Sequence, residues 1–127
     1  MNVSDYLKKT RAEFREAFAR YSTNLSVGMP SHPGKQKGPG GMELHVLEVI
    51  EKALQLNNGL DEGQIIEACL AHDLDHWDEL PLYPWQTVAI LATKGMPWEI
   101  WRKKTRHFRF VVLILIADMW SAYLGKN

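Results

Sequence analysis

Four residues of this 127-residue chain carry the side-chain chemistry of a divalent-metal site. They are the adjacent pair His72-Asp73 in Ala71-His72-Asp73-Leu74-Asp75-His76, His45 upstream and Asp118 downstream. Neutral imidazole and carboxylate together suit a divalent transition ion better than either alone. Asp118 directly follows Val111-Val112-Leu113-Ile114-Leu115-Ile116-Ala117. A carboxylate buried there without a partner costs several kcal/mol or loses its charge. Ligand or catalytic use is one account of it; a hydrogen bond to a neighbouring helix, or a narrow exposed strip, is the other. His45 sits between Leu44 and Val46, and alone it reads as a satisfied core histidine. Its distance of 27 residues from His72 suits two antiparallel helices joined at Asn57-Asn58-Gly59, with their ends on one side. In a regular helix His72 and Asp73 diverge by roughly 100 degrees. Both reach one ion only at a helix terminus or with one side chain tilted inward.

The elements that must hold these residues are helical. Ser4 or Asp5 can cap a first helix whose stripe is Leu7, Phe14, Phe18 and Tyr21. Between Ser22 and Gly41 the composition shifts to Gly, Pro, Ser and Lys. Pro30, Pro33 and Pro39, with Gly28, Gly34, Gly38 and Gly40, are expected to rule out regular structure before Gly41. Long loops of this kind are often functional. A second helix is expected from about Gly41 to Leu56, with Leu44, Leu47, Ile50 and Leu54 inward, ended by Asn57-Asn58-Gly59. Asp61 caps a third, which carries Ile65, Ile66, Cys69 and Leu70 to the His-Asp pair. Leu80 to Pro84 is a loop, Pro84 opens a short helix through Thr93, and Gly95 closes it. Pro97 starts another with Trp98 and Trp101, and the last runs roughly from Thr105 to Leu124. No segment alternates as a strand and nothing repeats. The expectation is an all-α single domain over 1–127, a bundle of about five to six helices around one core. Within it, 1–40 forms an N-terminal helix and loop, and 41–124 the metal-binding core.

The formal net charge is zero, from fifteen basic and fifteen acidic residues, and this opposes a duplex-DNA binder held by a generally basic surface. Cys69 is the only cysteine, which excludes an intramolecular disulfide and a thiolate metal cluster; a plain buried thiol is the expectation. The apolar run Phe110–Ala117 is far short of the roughly 20 residues of a membrane-spanning helix. No membrane association is expected. The stretch from Met1 to Arg20 lacks a signal-peptide core, so the cytoplasm is the expected compartment.

The order His45, His72-Asp73, Asp118 resembles the HD superfamily of metal-dependent phosphohydrolases, over about Gly40 to Tyr123. Gly40-Gly41-Met42-Glu43-Leu44-His45 is similar to the Gly-Gly-x-x-x-His lead-in to the first metal helix of several members. Those members include small stand-alone domains and the HD modules of some exoribonucleases. Glu67-Ala68-Cys69-Leu70-Ala71-His72-Asp73 looks like the family's helix ending in His-Asp, and Leu115-Ile116-Ala117-Asp118-Met119-Trp120-Ser121-Ala122 like its final Ala-Asp motif. His-Asp alone is a weak signal, whereas the three segments in order are a specific one. The resemblance implies that His45, His72, Asp73 and Asp118 bind one divalent ion, with Mn, Fe, Co, Ni, Zn and Mg all compatible with nitrogen and oxygen donors. It further implies hydrolysis of a phosphate ester by a metal-activated water.

Other candidates are less specific. Beside Asp73, the expected catalytic residues are Asp75 and His76, which follow the pair; His76 has a titration range suited to proton transfer, and a solvated turn residue is its ordinary reading. A dinuclear site would want two further histidines, and only His107 is at hand, so one ion is expected. Lys35 and Lys37, in the loop leading to His45, and Lys104, in Arg102-Lys103-Lys104-Thr105-Arg106, are candidates for holding substrate phosphate. A mobile loop and a solvated charge run are the alternatives. Trp77 and Trp85 could stack a base, or pack in the core. A mononucleotide is the preferred substrate. The alternatives are a nuclease acting on RNA or single-stranded DNA, and a non-catalytic metal- or nucleotide-binding regulatory domain. Self-association stays open.

Overall fold

In a computed structural model of the chain, described over residues 1–21, 25–29, 34–95 and 106–124, six α-helices form one all-α assembly, and no strand occurs among those residues. They are α1 (Val3–Leu7), α2 (Ala12–Phe18), α3 (Gly41–Leu56), α4 (Glu62–Ala71), α5 (Pro84–Thr93) and α6 (Phe108–Leu124). Two short 3-10 helices, Gly34–Lys37 and Trp77–Glu79, precede α3 and α5. The expected helix starting at Pro97 lies outside the described residues, as do Trp98, Trp101 and Lys104.

The N-terminal stretch is two helices rather than one. Asn2, not Ser4 or Asp5, caps α1: Asn2 Oδ1 accepts from the Asp5 amide, and Asp5 Oδ2 accepts from the Asn2 amide, each at 2.9 Å. The break follows from a tertiary claim on the backbone. Arg11 N–H donates to the buried Glu67 Oε2 at 2.9 Å, and the Arg11 guanidinium grips both oxygens of the same carboxylate. Gln86 Nε2 donates to Glu67 as well, at 3.0 Å. The stitch holds the α1–α2 junction, α4 and α5 together, and a helix continuous through Arg11 could not make it.

α3 is as long as expected but turned about its axis. Gly41, His45, Val46, Val49, Ile50 and Ala53 are buried, while Leu44, Leu47 and Leu54 are only partly covered. The contact face is built from small and β-branched residues, which let α4 and α6 approach closely; the leucines flank it. Asn57 closes the turn after α3 by exchanging hydrogen bonds with Leu60 (2.9 and 3.0 Å). Asp61 then caps α4 through the Gln64 amide. From Ile65 to Ala71 every residue of α4 is buried, so α4 is the central strut. α6 packs mainly on α5 and α3; its observed start, Phe108, lies three residues after the expected one.

The described part of the Gly/Pro-rich stretch holds a short 3-10 helix and backbone ties to α3. Gln36, within the 3-10 helix, is fully buried. The Gly40 amide donates to Ser26 O (2.8 Å) and the Met42 amide to Val27 O (3.0 Å), pinning this segment to the start of α3. A Cβ on Gly41 would lie 1.8 Å from Gln36 O. Only glycine permits that approach; the expectation of no regular structure before Gly41 fails on the 3-10 helix Gly34–Lys37. No helix among the described residues is long and apolar enough to cross a membrane.

Candidate metal centre

α3, the C-terminus of α4 and α6 bring their polar residues to one point. His45 comes from the second turn of α3. His72 is the C-cap of α4, and Asp73 follows where the helical path ends. That terminus is what lets adjacent side chains face the same place. Asp118 reaches in from the middle of α6, where Ala117 beside it is buried and Asp118 itself is half-covered.

The distances are short and nearly uniform. His45 Nε2 lies 2.9 Å from Asp118 Oδ1, 3.1 Å from Asp73 Oδ2 and 3.3 Å from His72 Nε2. His72 Nε2 lies 3.0 Å from both Asp73 Oδ2 and Asp118 Oδ1. Donors that share one cation at about 2.1 Å sit roughly 3.0 Å apart along an octahedral edge and roughly 3.4 Å apart in a tetrahedron. The observed separations fall in that window.

Proton bookkeeping points the same way. His72 Nδ1 is 2.6 Å from Cys69 O, and His45 Nδ1 is 3.0 Å from Ser121 Oγ. A carbonyl only accepts, so His72 carries a proton on Nδ1, which leaves Nε2 to present its lone pair in the neutral ring. Asp73 Oδ2 is buried and, despite its short distances to both rings, takes part in no aligned hydrogen bond. Two imidazole nitrogens and two carboxylate oxygens therefore face one another, and a positive charge must stand between them. Without a cation, protons have to supply it. The flanking carboxylates raise both His pKa values against the opposing effect of burial. The imidazoles in turn hold both carboxylates below their ordinary range although burial pushes them up. The residues fit a metal.

Access is one-sided. His45 and His72 are sealed, whereas the Asp73 and Asp118 side chains keep 25% and 17% exposure. The exposed edge of the cluster is formed by the two carboxylates.

None of the other described candidates belongs to the four-donor cluster. Asp75 is exposed on the turn after the pair. His76 is exposed too and pairs with Glu79 Oε2 at 3.0 Å, a carboxylate that also accepts from Tyr21 Oη. Lys37 is exposed, and the Lys35 side chain is outside the described residues. Trp77 packs against the core. Trp85 donates to Gln64 Oε1, and both Tyr83 (4.7 Å between ring centroids) and His107 (4.1 Å) stack on it, so its indole is already engaged. Cys69 is buried and free, and burial drives its thiol pKa well up, as a structural thiol requires. Gln36, Glu48 and Ser121, behind His45, were not foreseen. Ser121 stands three residues after Asp118, which places both on one face of α6, and that spacing was the available signal.

No family model, curated protein or solved structure matches this chain. The reading of the site rests on its own chemistry.

Proposed function

We propose that this chain is a metal-dependent phosphohydrolase of HD type, acting on a nucleotide-type phosphate ester. His45, His72, Asp73 and Asp118 would hold one divalent ion. The single observation that carries the reading is the meeting of these four donors, from three helices, at separations suited to one small cation. Their order in the chain is the one on which the family resemblance rests. When bound, such an ion supplies Lewis acidity toward a phosphoryl oxygen and an acidified water. Mn, Fe, Co, Ni, Zn and Mg all remain chemically admissible. Paired imidazoles favour the transition ions over Mg.

The protein residues contribute binding, orientation and proton handling. Asp73 and Asp118, on the open side, face the approaching ester; the buried imidazoles behind them fix the donor geometry. His76 is the assigned proton carrier, paired with Glu79, with Asp75 on the same turn. Lys37 would hold substrate phosphate, and Lys35 and Lys104 are sequence candidates for the same role.

A nuclease acting on single strands is the second reading, favoured by the exposed Lys37 on the segment pinned to α3. Tight, steeply salt-dependent binding of RNA or single-stranded DNA would select it. A regulatory domain would take up metal without turnover of any phosphoester. The test is a screen of nucleotides and generic phosphodiesters with each divalent ion, run beside Asp73→Ala. Turnover in the wild type and its loss in the variant support the proposal. Equal turnover in both contradicts it.

A further inference from the structure

Behind His45 runs a polar chain that is buried at His45, Ser121 and Gln36 and ends at the partly exposed Glu48. His45 Nδ1 is 3.0 Å from Ser121 Oγ, and Ser121 Oγ is 3.3 Å from Glu48 Oε2. Gln36 Nε2 donates to Ser121 Oγ (3.2 Å) and to the Ser121 carbonyl (3.3 Å), and lies 3.5 Å from Glu48 Oε1. Gln36, His45 and Ser121 are each wholly buried. A serine hydroxyl has one proton, and an ionised carboxylate can only accept. Ser121 Oγ has three acceptors in reach: Glu48 Oε2 (3.3 Å), the His45 carbonyl (3.4 Å) and, in the other tautomer, His45 Nδ1 (3.0 Å). The proton is assigned to the carboxylate as the strongest acceptor of the three. The hydroxyl oxygen is left to accept, from His45 Nδ1–H on one side and Gln36 on the other. With that assignment the bonds run in one direction, and the His45 proton sits on Nδ1.

We propose that Ser121, backed by Glu48 and Gln36, is the positioning residue that locks His45 into its metal-binding tautomer. The lock also ties the metal centre to the 3-10 helix that precedes α3, because Gln36 belongs to it. This inference rests on the metal reading above. A neutral His45 lacking the Ser121 acceptor is free to carry its proton on Nε2, against Asp118 Oδ1 at 2.9 Å. In that form it offers no lone pair to a cation. The carboxylate of Glu48 strengthens the chain by polarising the hydroxyl, as carboxylates behind metal-bound histidines do.

Two measurements test it. In the Zn2+-loaded wild type, long-range proton–nitrogen NMR of the imidazoles is expected to show the His45 proton on Nδ1, exchanging slowly with solvent. A coordinated Nδ1 with the proton on Nε2 overturns the proposal. Chelator competition with Zn2+ should then give Ser121→Ala a dissociation constant about 10- to 100-fold weaker than the wild type, with the helical circular dichroism retained. Affinity within twofold of the wild type in a folded Ser121→Ala overturns the lock while leaving the four-donor site standing. A wild type that takes up no zinc removes the metal reading, and the lock with it.

Discussion

His72 shows at a single residue how a fold can choose a proton position. Its ring is buried, its Nδ1 is committed to Cys69 O, and its Nε2 faces two carboxylates. The consequence for pH dependence has a definite sign. His45 and His72 titrate above the ordinary 6.5 in the folded chain, so their contribution to metal-free stability is complete below that value. It is lost as pH rises through the raised values. Asp73 and Asp118 titrate below 3.8, so theirs is complete above 3.8 and lost as pH falls through the lowered values. Metal-free protein should therefore be most stable in the window from about pH 4 to about 6.5. Denaturant midpoints measured in a chelator should fall above that window, and a stoichiometric divalent ion should remove the fall. A chelated protein that grows more stable from pH 6.5 to 9 contradicts this account. Cys69, with its thiol pushed up by burial, should react with a thiol reagent only after unfolding; prompt labelling of the native chain would refute its placement. The four donors were legible because a His-Asp dyad and a carboxylate closing an apolar run conflict with ordinary core composition. Gln36 was not, since one glutamine among lysines and glycines carries no mark of burial.

At the scale of elements, the two glycines before α3 do different work. Gly40 has φ of 77° and open space at its Cβ position. Gly40→Ala should cost only the backbone term, about 1–2 kcal/mol. Gly41 is fixed by the approach of Gln36 O, so Gly41→Ala must displace the 3-10 helix and with it Gln36. It should destabilise by about 1–3 kcal/mol and weaken metal binding as well. Equal metal affinity in the two variants would separate the 3-10 helix from the site. The stitch at Glu67 makes a third test. Arg11→Ala leaves the buried carboxylate without its cation, held only by the residue-11 amide and Gln86, and should cost about 3 kcal/mol, the low end for a broken buried pair, because Arg11 is itself partly exposed. A change under about 0.5 kcal/mol, the range of ordinary surface substitutions, would mean the stitch does not hold the junction. Helix boundaries for α3, α4 and α5 were readable from Gly, Asn, Asp and Pro punctuation. The phase of α3 was not. Leucines define the hydrophobic pattern, yet close packing on two neighbours selects the valine, isoleucine and alanine face.

For the whole molecule, the all-α architecture follows from helical punctuation in nearly every segment, and the absence of alternation made strands unavailable. The zero net charge sets an expectation for ligands. With no general basic field to release counterions, single-stranded nucleic acid should bind weakly at physiological salt, while a compact phosphate ester needs only the local site. A shift assay showing tight binding with a steep salt slope would move the assignment from nucleotide to strand.

The most direct test of the central claim is anomalous diffraction from a crystal soaked in Mn2+ or Zn2+. The account predicts one strong peak about 2–2.3 Å from His45 Nε2, His72 Nε2, Asp73 Oδ2 and Asp118 Oδ1 together. A peak elsewhere, or none while the two imidazoles remain hydrogen-bonded to the carboxylates, would contradict it.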